Sequence, residues 1–325
     1  MRAEFDLPSQ QIGIMPLLVV LHGHGGAGVG TITLTHMNDL ADQDGFLAVY
    51  PDGLSKGWAD GRGASESDQQ GTDDVAYISQ LITTLQGQFT LDVRRVYVAG
   101  ISNGGFMAQR LGCELGNKIA AVVSVVATLS TNQAVTCAPI RPMPILYVLG
   151  ESDPLVPFNG GTVNGDRGIV LSATESLAAW AKLDGCMGTP TTRTLPDRVQ
   201  DGAHVSQTLY TNCKAARRLA YFASRGRPHL AERRAVSAGG GHWPHDPSDR
   251  QRRPLGVPEP VPDALRFHSA SPDAHPRLRP TIRISAVANA TAVRSALPAA
   301  SVNPSGAMMD WLRSACHVSK PIRPR

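Results

Sequence analysis

Residues 100–104 form a G-x-S-x-G motif, in which Ser102 stands between two glycines. An apolar run precedes the motif, and apolar residues at helical spacing follow it. A strand, a tight turn and a helix are the setting in which such a serine becomes an exposed nucleophile. Glycines are needed on both sides because side chains there would clash with the strand or the helix. We therefore predict that Ser102 is a nucleophile at the carboxyl edge of a parallel sheet.

A second glycine-rich loop follows residues 16–21, an unbroken apolar run that is typical of a strand buried on both faces. Residues 22–26 read His-Gly-His-Gly-Gly, and such a loop brings backbone N–H groups close to a ligand. We predict an oxyanion hole formed by the backbone N–H groups of His24 (or Gly25) and Asn103. No side-chain role is predicted for the loop histidines and no metal site, because a third ligand is lacking nearby.

The strand pattern at residues 144–149 ends just before two carboxylates, Glu151 and Asp153. An acid in this position orients the catalytic histidine of a Ser-His-Asp triad. Both residues qualify, and we favour Asp153 because Pro154 fixes a turn after it. Its alternative role is that of a helix cap.

The polar, glycine-rich residues 55–71 are predicted to form a surface loop near the same edge. Trp58 in this loop is a candidate for binding substrate by stacking, and the alternative is that it packs inside the loop. Asp73 and Asp74 begin a helical pattern, so we interpret them as structural residues at a helix N-terminus.

Apolar strand patterns alternate with helical ones, which predicts an α/β fold with a mostly parallel sheet flanked by helices. The 325 residues contain 42% hydrophobic residues, and no run approaches the ~20 apolar residues of a membrane span. The net charge is +4, but residues 214–283 hold 14 Lys and Arg against 6 Asp and Glu. Because the segment shows neither a regular interleaving of aromatic residues with this charge nor an amphipathic period, we predict no nucleic-acid binding.

These motifs together resemble the polyhydroxybutyrate depolymerase/feruloyl esterase-like (LpqC-type) α/β-hydrolases. The resemblance runs continuously from about residue 16 to about residue 214. It is carried by residues 21–23, 50–54, 57–62, 73–76, 94–98, 102–105, 113–115 and 153–157. It implies the α/β-hydrolase fold, Ser102 as nucleophile, Asp153 as triad acid, ester substrates and no cofactor.

The resemblance also implies a secreted or periplasmic protein with disulfides. The pairs that it implies are Cys113–Cys137 and Cys186–Cys213, which leaves Cys316 unpaired. The first residues lack a basic-then-apolar start, and the family's N-terminal strand hairpin is mostly missing. We therefore expect that the protein either is cytoplasmic or starts downstream of a lost leader, and the missing hairpin supports the second alternative.

The family's histidine lies in G-G-G-H-T-W-P, and residues 239–244 read G-G-G-H-W-P, one residue short. His242 is therefore the predicted general base. Its surroundings do not fit, because residues 217–283 hold 13 Arg and no strand pattern precedes the motif. One explanation is a true insertion. The other is a frameshift near residue 215, since codons can be chosen for residues 225–238 that read as the family's motif when shifted by one base. His229 is the alternative base, and the other histidines of this region (His245, His268 and His275) lack a motif.

We divide the chain into a hydrolase core at residues 1–214, an irregular Arg/Pro-rich segment at 215–305 and a short terminal helix at 306–318. The predicted function is that of a serine esterase acting on small esters, hydroxyalkanoate oligomers or acylated polysaccharides. The alternative is a hydrolase-fold binding protein, or a frameshifted esterase, that lacks its proper histidine.

Overall fold

The computed structural model of the protein describes residues 2–8, 13–195 and 204–214, and the backbone of residues 219–225. The strands in these residues are β1 (Ala3–Asp6), β2 (Met15–Leu21), β3 (Leu47–Pro51), β4 (Leu91–Ile101), β5 (Ala121–Val125), β6 (Ile145–Gly150), β7 (Gly161–Thr162), β8 (Ile169–Val170), β9 (Thr191–Thr194), β10 (His204–Tyr210) and β11 (Leu219–Arg225). The helices are α1 (Gly28–Thr35), α2 (Met37–Asp44), α3 (Glu66–Gln69), α4 (Asp74–Gln88), α5 (Asn103–Glu114), α6 (Thr131–Thr136) and α7 (Ala173–Leu183).

A nine-stranded sheet in the order β1-β3-β2-β4-β5-β6-β11-β10-β9 forms the centre of the described part. The strands from β3 to β11 in this order are parallel, whereas β1, β10 and β9 pair antiparallel at the two edges. The predicted strand at residues 16–21 is β2, and it is buried almost throughout. The α/β-hydrolase fold is therefore confirmed.

The side chains of β2 alternate between two hydrophobic clusters on opposite faces of the sheet. Leu17 and Val19 pack in the cluster that includes residues of α4, α5 and α7. Leu18 and Val20 pack in the cluster that includes residues of α2. Helices thus cover both faces, and the carboxyl ends of the parallel strands meet at one edge, where the connecting loops gather.

The helix starts follow ordinary capping chemistry. Asp73 caps α4 by accepting a hydrogen bond from the Ala76 N–H at 2.9 Å, which agrees with its predicted structural role. Ser172 and Glu175 form a capping box at the start of α7. Of the helices described, none has the length and apolar character that crossing a membrane requires.

Strand β11 lies beyond residue 214, where we predict that the hydrolase core ends. It pairs in parallel with β6, with Ala220 opposite Leu146 and Ser224 opposite Gly150. The surrounding arginines obscure the short run Leu-Ala-Tyr-Phe-Ala that begins it. The sheet therefore reaches Arg225. The other residues predicted as an irregular segment (to 305), and the helix predicted at 306–318, lie outside the described residues.

Both disulfides implied by the family resemblance are confirmed. Cys113, in the last turn of α5, is bonded to Cys137, which directly follows α6. Cys186, shortly after α7, is bonded to Cys213, shortly after β10. Each bond therefore fixes a helix to a more distant segment of the core. Cys316 lies outside the described residues.

We expect the double variant Cys113→Ser/Cys137→Ser to lower the free energy of unfolding by about 3 kcal/mol, because the bond closes a loop of 24 residues in the unfolded chain. Urea unfolding without reductant measures this difference. The matched control is Cys316→Ser, which should change it by less than about 0.5 kcal/mol. An unchanged stability in the double variant would show that this bond does not stabilise the fold.

Candidate active site

Ser102 lies in a sharp turn between the end of β4 and the start of α5. Its φ of 55° and ψ of −118° are a conformation that costs a residue other than glycine of order 1–3 kcal/mol. The turn is held on both sides. The Ser102 N–H donates to the Val125 carbonyl of β5 at 2.8 Å, and the Ser102 carbonyl accepts from the Gly105 and Phe106 N–H groups. The side chain stays partly exposed, as a nucleophile requires.

Gly104 allows α5 to approach the end of β2 backbone to backbone. A Cβ built on Gly104 would lie 2.5 Å from the carbonyl oxygens of Leu21 and His22, a distance that real side chains do not tolerate. On the other side of the loop, a Cβ on Gly23 would lie 3.6 Å from the Ser102 Cβ. The clash explains why residue 104 is a glycine, and the ordinary contact at Gly23 brings the predicted oxyanion loop against the serine.

The backbone N–H groups predicted for the oxyanion hole lie in this contact region. The Gly25 N–H already donates to the Lys56 carbonyl at 2.7 Å, which favours His24 between the two residues that the sequence left open. Asn103 is the first residue of α5, where the helix dipole places partial positive charge. The assignment of His24 and Asn103 to an oxyanion stays a prediction.

Asp153 lies in the loop that follows β6, at the same edge of the sheet. Its Oδ1 accepts hydrogen bonds from the Leu155 N–H at 2.8 Å and the Val156 N–H at 3.0 Å. Within the described residues its Oδ2 accepts no hydrogen bond, so one carboxylate oxygen is fixed and the other has no partner among them. Glu151, the alternative acid, precedes it by two residues and takes part in other interactions.

Strand β11 reaches this edge beside β6, with Ser224 aligned with Gly150. In the sequence, His229 follows the end of β11 by four positions and His242 follows it by seventeen. Both histidines lie outside the described residues, so the base that the sequence predicts stays a prediction.

Comparisons with known proteins fit this geometry. Residues 3–162 match the family described as Esterase PHB depolymerase. Over these residues the chain is similar to this esterase family. Its relatives include NocK of Nocardia uniformis subsp. tsuyamanensis, feruloyl esterase B of Piromyces equi, and the bifunctional acetylxylan esterase/xylanase XynS20E of Neocallimastix patriciarum, with identities of 27%, 29% and 34%.

The matches cover different shares of each pair. The match to NocK spans 72% of this chain and 68% of NocK. The match to the Piromyces esterase spans 61% of this chain and 36% of that protein, and the match to XynS20E spans 46% of this chain and 21% of that protein. Among solved structures, the acetyl xylan esterase from Aspergillus awamori superposes with a TM-score of 0.49 at 15% identity, over 72% of this chain and 92% of that chain.

The prediction that Trp58 binds substrate is wrong for this conformation of the esterase. The side chain is completely buried in the main hydrophobic cluster. Its Nε1–H donates to the His22 carbonyl at 2.9 Å, and its ring packs at 4.8 Å from the His22 ring. No face of the indole is open to a ligand. Trp58 instead holds the oxyanion loop in place through its contacts with His22.

His22 is a structural residue of the same loop. Its Nε2 accepts from the Gly53 N–H at 2.9 Å, so its proton resides on Nδ1, which lies 2.8 Å from the Gly23 carbonyl. Burial lowers the pKa of His22 and keeps the ring neutral. Both ring nitrogens of His22 therefore take part in hydrogen bonds. Among the described residues, no group of three or more His, Cys, Asp or Glu side chains could hold a metal ion.

The esterase also contains a buried polar network that sequence reasoning missed. The Asn103 side chain accepts from the Trp58 N–H at 2.8 Å and donates to an Asp60 carboxylate oxygen at 2.6 Å. Asp60, fully buried, accepts from the Arg62 guanidinium at 2.8–3.1 Å. Burial raises the pKa of Asp60, and the bonds from Arg62 oppose the rise. The first residue of α5 is thus tied to the loop at 58–62.

This network was missed because its residues looked like ordinary loop residues. Asp60 and Arg62 are two positions apart in a polar, glycine-rich stretch, which by itself indicates only a turn. A charged pair beside a tryptophan in such a loop is the one signal that could have pointed to a buried cluster.

We expect Asp60→Ala to lower the free energy of unfolding by about 3–5 kcal/mol, because it leaves the Arg62 charge buried without its partner. Urea unfolding measures the change. Glu114→Ala is the matched control, since it breaks a more exposed pair with Arg110 and should cost less than about 1 kcal/mol. Equal losses in the two variants would contradict the importance of the buried pair.

Proposed function

We propose that Ser102 is the nucleophile of a serine esterase that cleaves carboxylic esters through an acyl-enzyme. The observation that carries this proposal is the strained turn at Ser102, with Gly23 of the oxyanion loop packed against it. Backbone strain of this kind is concentrated at functional sites, so its presence at a partly exposed serine supports a catalytic role. The similarity of residues 3–162 to an esterase family supports the same conclusion.

In the proposed reaction, a histidine removes the proton of the Ser102 hydroxyl as its oxygen bonds to the ester carbonyl carbon. The resulting oxyanion accepts hydrogen bonds from the N–H groups of His24 and Asn103, each worth about 3 kcal/mol. The C–O bond to the alcohol then breaks, and the histidine returns the proton to the leaving oxygen. Water attacks the acyl-enzyme by the same steps in reverse, which frees the acid and Ser102.

Asp153 is proposed to hold the histidine in the tautomer that can accept the serine proton. The two hydrogen bonds to its Oδ1 fix the carboxylate and leave Oδ2 for the imidazole Nδ1–H. Strand β11 runs beside β6 and ends at the edge where Asp153 lies, which supports a base from the part of the sequence that follows β11. We propose His242 for this role from its motif, with His229 as the alternative from its position near the end of β11.

The substrate class is proposed from the relatives. Two of them are named for feruloyl and acetylxylan ester hydrolysis, which supports acylated polysaccharides as substrates. The family's name supports hydroxyalkanoate oligomers, and small esters are the third class. Secretion or export to the periplasm is proposed as well, because the two disulfides are typical of proteins from oxidising compartments.

A hydrolase-fold binding protein, or a frameshifted and inactive esterase, is the second candidate. It is favoured by the sequence around His242, where the family's motif is one residue short and no strand pattern precedes it. Sequencing the gene across residues 210–260 tests the frameshift directly, and the esterase assays below test the rest.

We expect Ser102→Ala to reduce kcat/KM for 4-nitrophenyl acetate at least about 10³-fold, because the covalent step is lost. Asp153→Asn should reduce it by about 10⁴-fold, because the amide favours the wrong histidine tautomer. The control is Glu151→Gln, which keeps the favoured acid. A wild-type protein with no activity, or a Ser102→Ala variant with full activity, would contradict the esterase proposal.

The two candidate bases are separated by His229→Ala and His242→Ala. The variant that removes the base should lose at least about 10³-fold in kcat/KM, whereas the other should keep its activity. His204→Ala, at an exposed position at the start of β10, is the control. If the wild type is active and both variants keep that activity, neither histidine is the base.

A further inference from the structure

The hairpin at residues 161–170, formed by β7, β8 and their turn, lies over the carboxyl edge of the sheet. Its Val163 and Val170 pack in a small buried cluster with Phe106, Ala127 and Val156. These three residues come from the first turn of α5, the segment after β5 and the loop after Asp153. The hairpin therefore packs on the segments that carry the nucleophile and the proposed acid.

Hydrogen bonds hold the hairpin on this surface. The Asn164 N–H donates to the Leu155 carbonyl in the acid loop at 2.9 Å. Next to β8, the Leu171 N–H donates to the Leu129 carbonyl, also at 2.9 Å. The hairpin is thus part of the site's framework and not a free surface loop.

The turn of the hairpin has a defined backbone. Gly165, Asp166 and Gly168 have φ values of 77°, 55° and 90°, which is the left-handed conformation that tight turns need. The Arg167 N–H donates to the Val163 carbonyl at 3.2 Å. These constraints fix the backbone position from which the Arg167 side chain extends.

Arg62 connects this turn to the buried network beneath the oxyanion loop. Its guanidinium donates to the Arg167 carbonyl at 2.8 Å, and its Cβ would lie 3.4 Å from a Cβ built on Gly168. Its guanidinium carbon also stacks 3.9 Å above the Phe106 ring centroid. Arg167 is therefore hydrogen-bonded through its carbonyl to Arg62, and Arg62 in turn is paired with Asp60.

The Arg167 guanidinium is a positive charge that no carboxylate pairs with among the described residues. Its side chain is exposed, and within the described residues it forms no ion pair or hydrogen bond. Arg62, by contrast, is paired with Asp60. Partial burial is the largest cause that lowers the pKa of His24, and the positive charges of Arg167 and Arg62 lower it further. The negative charges of Glu66 and Asp60 raise this pKa, but by less. The positive charge of Arg167 thus acts at the predicted oxyanion loop.

We propose that Arg167 is a specificity-determining residue that binds a carboxylate of the substrate, so that this chain prefers esters that carry a carboxylate near the scissile bond. The proposal rests on the proposed esterase function. A guanidinium fits a carboxylate with two parallel hydrogen bonds, which gives direction as well as charge. The carboxylate could belong to the acyl part or to the alcohol part of the ester, as in an oligomer of hydroxy acids or an acylated uronic acid.

Two pairs of substrates test this preference with the full-length protein. The first pair is mono-4-nitrophenyl adipate and the 4-nitrophenyl ester of adipic acid monoamide, which differ by a carboxylate in the acyl part. The second pair is 4-acetoxybenzoate and 4-acetoxybenzamide, which differ in the same way in the alcohol part. The measured quantity is the ratio of kcat/KM for the anionic and neutral member of each pair.

We expect Arg167→Gln to lower this ratio about fivefold for at least one pair, with kcat/KM for the neutral esters unchanged. Arg167→Glu should lower it about tenfold or more, because attraction becomes repulsion. Comparing each variant with the wild type cancels the intrinsic reactivities of the esters. The pair that responds identifies the part of the substrate that carries the carboxylate.

Arg94→Gln is the matched control, because Arg94 is also exposed but lies near the amino end of β4, away from the site. It removes the same charge and should leave both ratios unchanged. Thermal unfolding of every variant checks that the fold is kept. Neutral and anionic esters losing activity equally in Arg167→Gln, or ratios that do not change, would overturn the proposal. Absence of activity on all four esters would instead contradict the esterase function itself.

Discussion

The close approach of α5 to the end of β2 is the contact on which the rest of the site depends. It exists because Gly104 has no side chain, so that the helix backbone meets the Leu21 and His22 carbonyls directly. A methyl group there would have to displace main-chain atoms of a buried strand, which close packing does not allow without a large rearrangement. The serine turn and the oxyanion loop therefore have one relative position, and each loop added at this edge packs against a fixed surface.

Polar groups beneath that surface make the arrangement specific as well as stable. A buried Asp60–Arg62 pair gains little over an apolar pair of the same size, since desolvation offsets most of the attraction. The pair matters more for the loop position that its hydrogen bonds fix than for the stability that it adds. The carboxylate also accepts from the Asn103 amide, and the guanidinium also donates to the Arg167 carbonyl, so a displaced loop would leave a buried charge unpaired. The network therefore ties the loop at 58–62, the start of α5 and the hairpin turn into one arrangement.

The sequence predicted the parts of the site that short-range patterns determine. Apolar runs followed by glycines identified β2, β4 and the two loops at their ends, because strand burial and tight turns leave local signatures. Trp58 was assigned wrongly because the exposure of a residue in a polar loop depends on what folds over it. The hairpin at 161–170 was missed because strands of two residues have no periodicity. Strand β11 was missed because its pairing with β6 joins residues far apart in the chain.

A charged side chain that selects substrates needs a fixed backbone more than a fixed head group. An arginine on a mobile loop would lose the entropy of the loop as well as its own rotamers on binding, and this loss would cancel most of a weak, solvent-screened attraction. At Arg167 the backbone is already ordered in the free protein, so no loop entropy is lost on binding. The hairpin is held by the acid loop, by Arg62 and by its apolar cluster. Only the side chain remains to be ordered. The exposed guanidinium can therefore discriminate between substrates although its individual contact is modest.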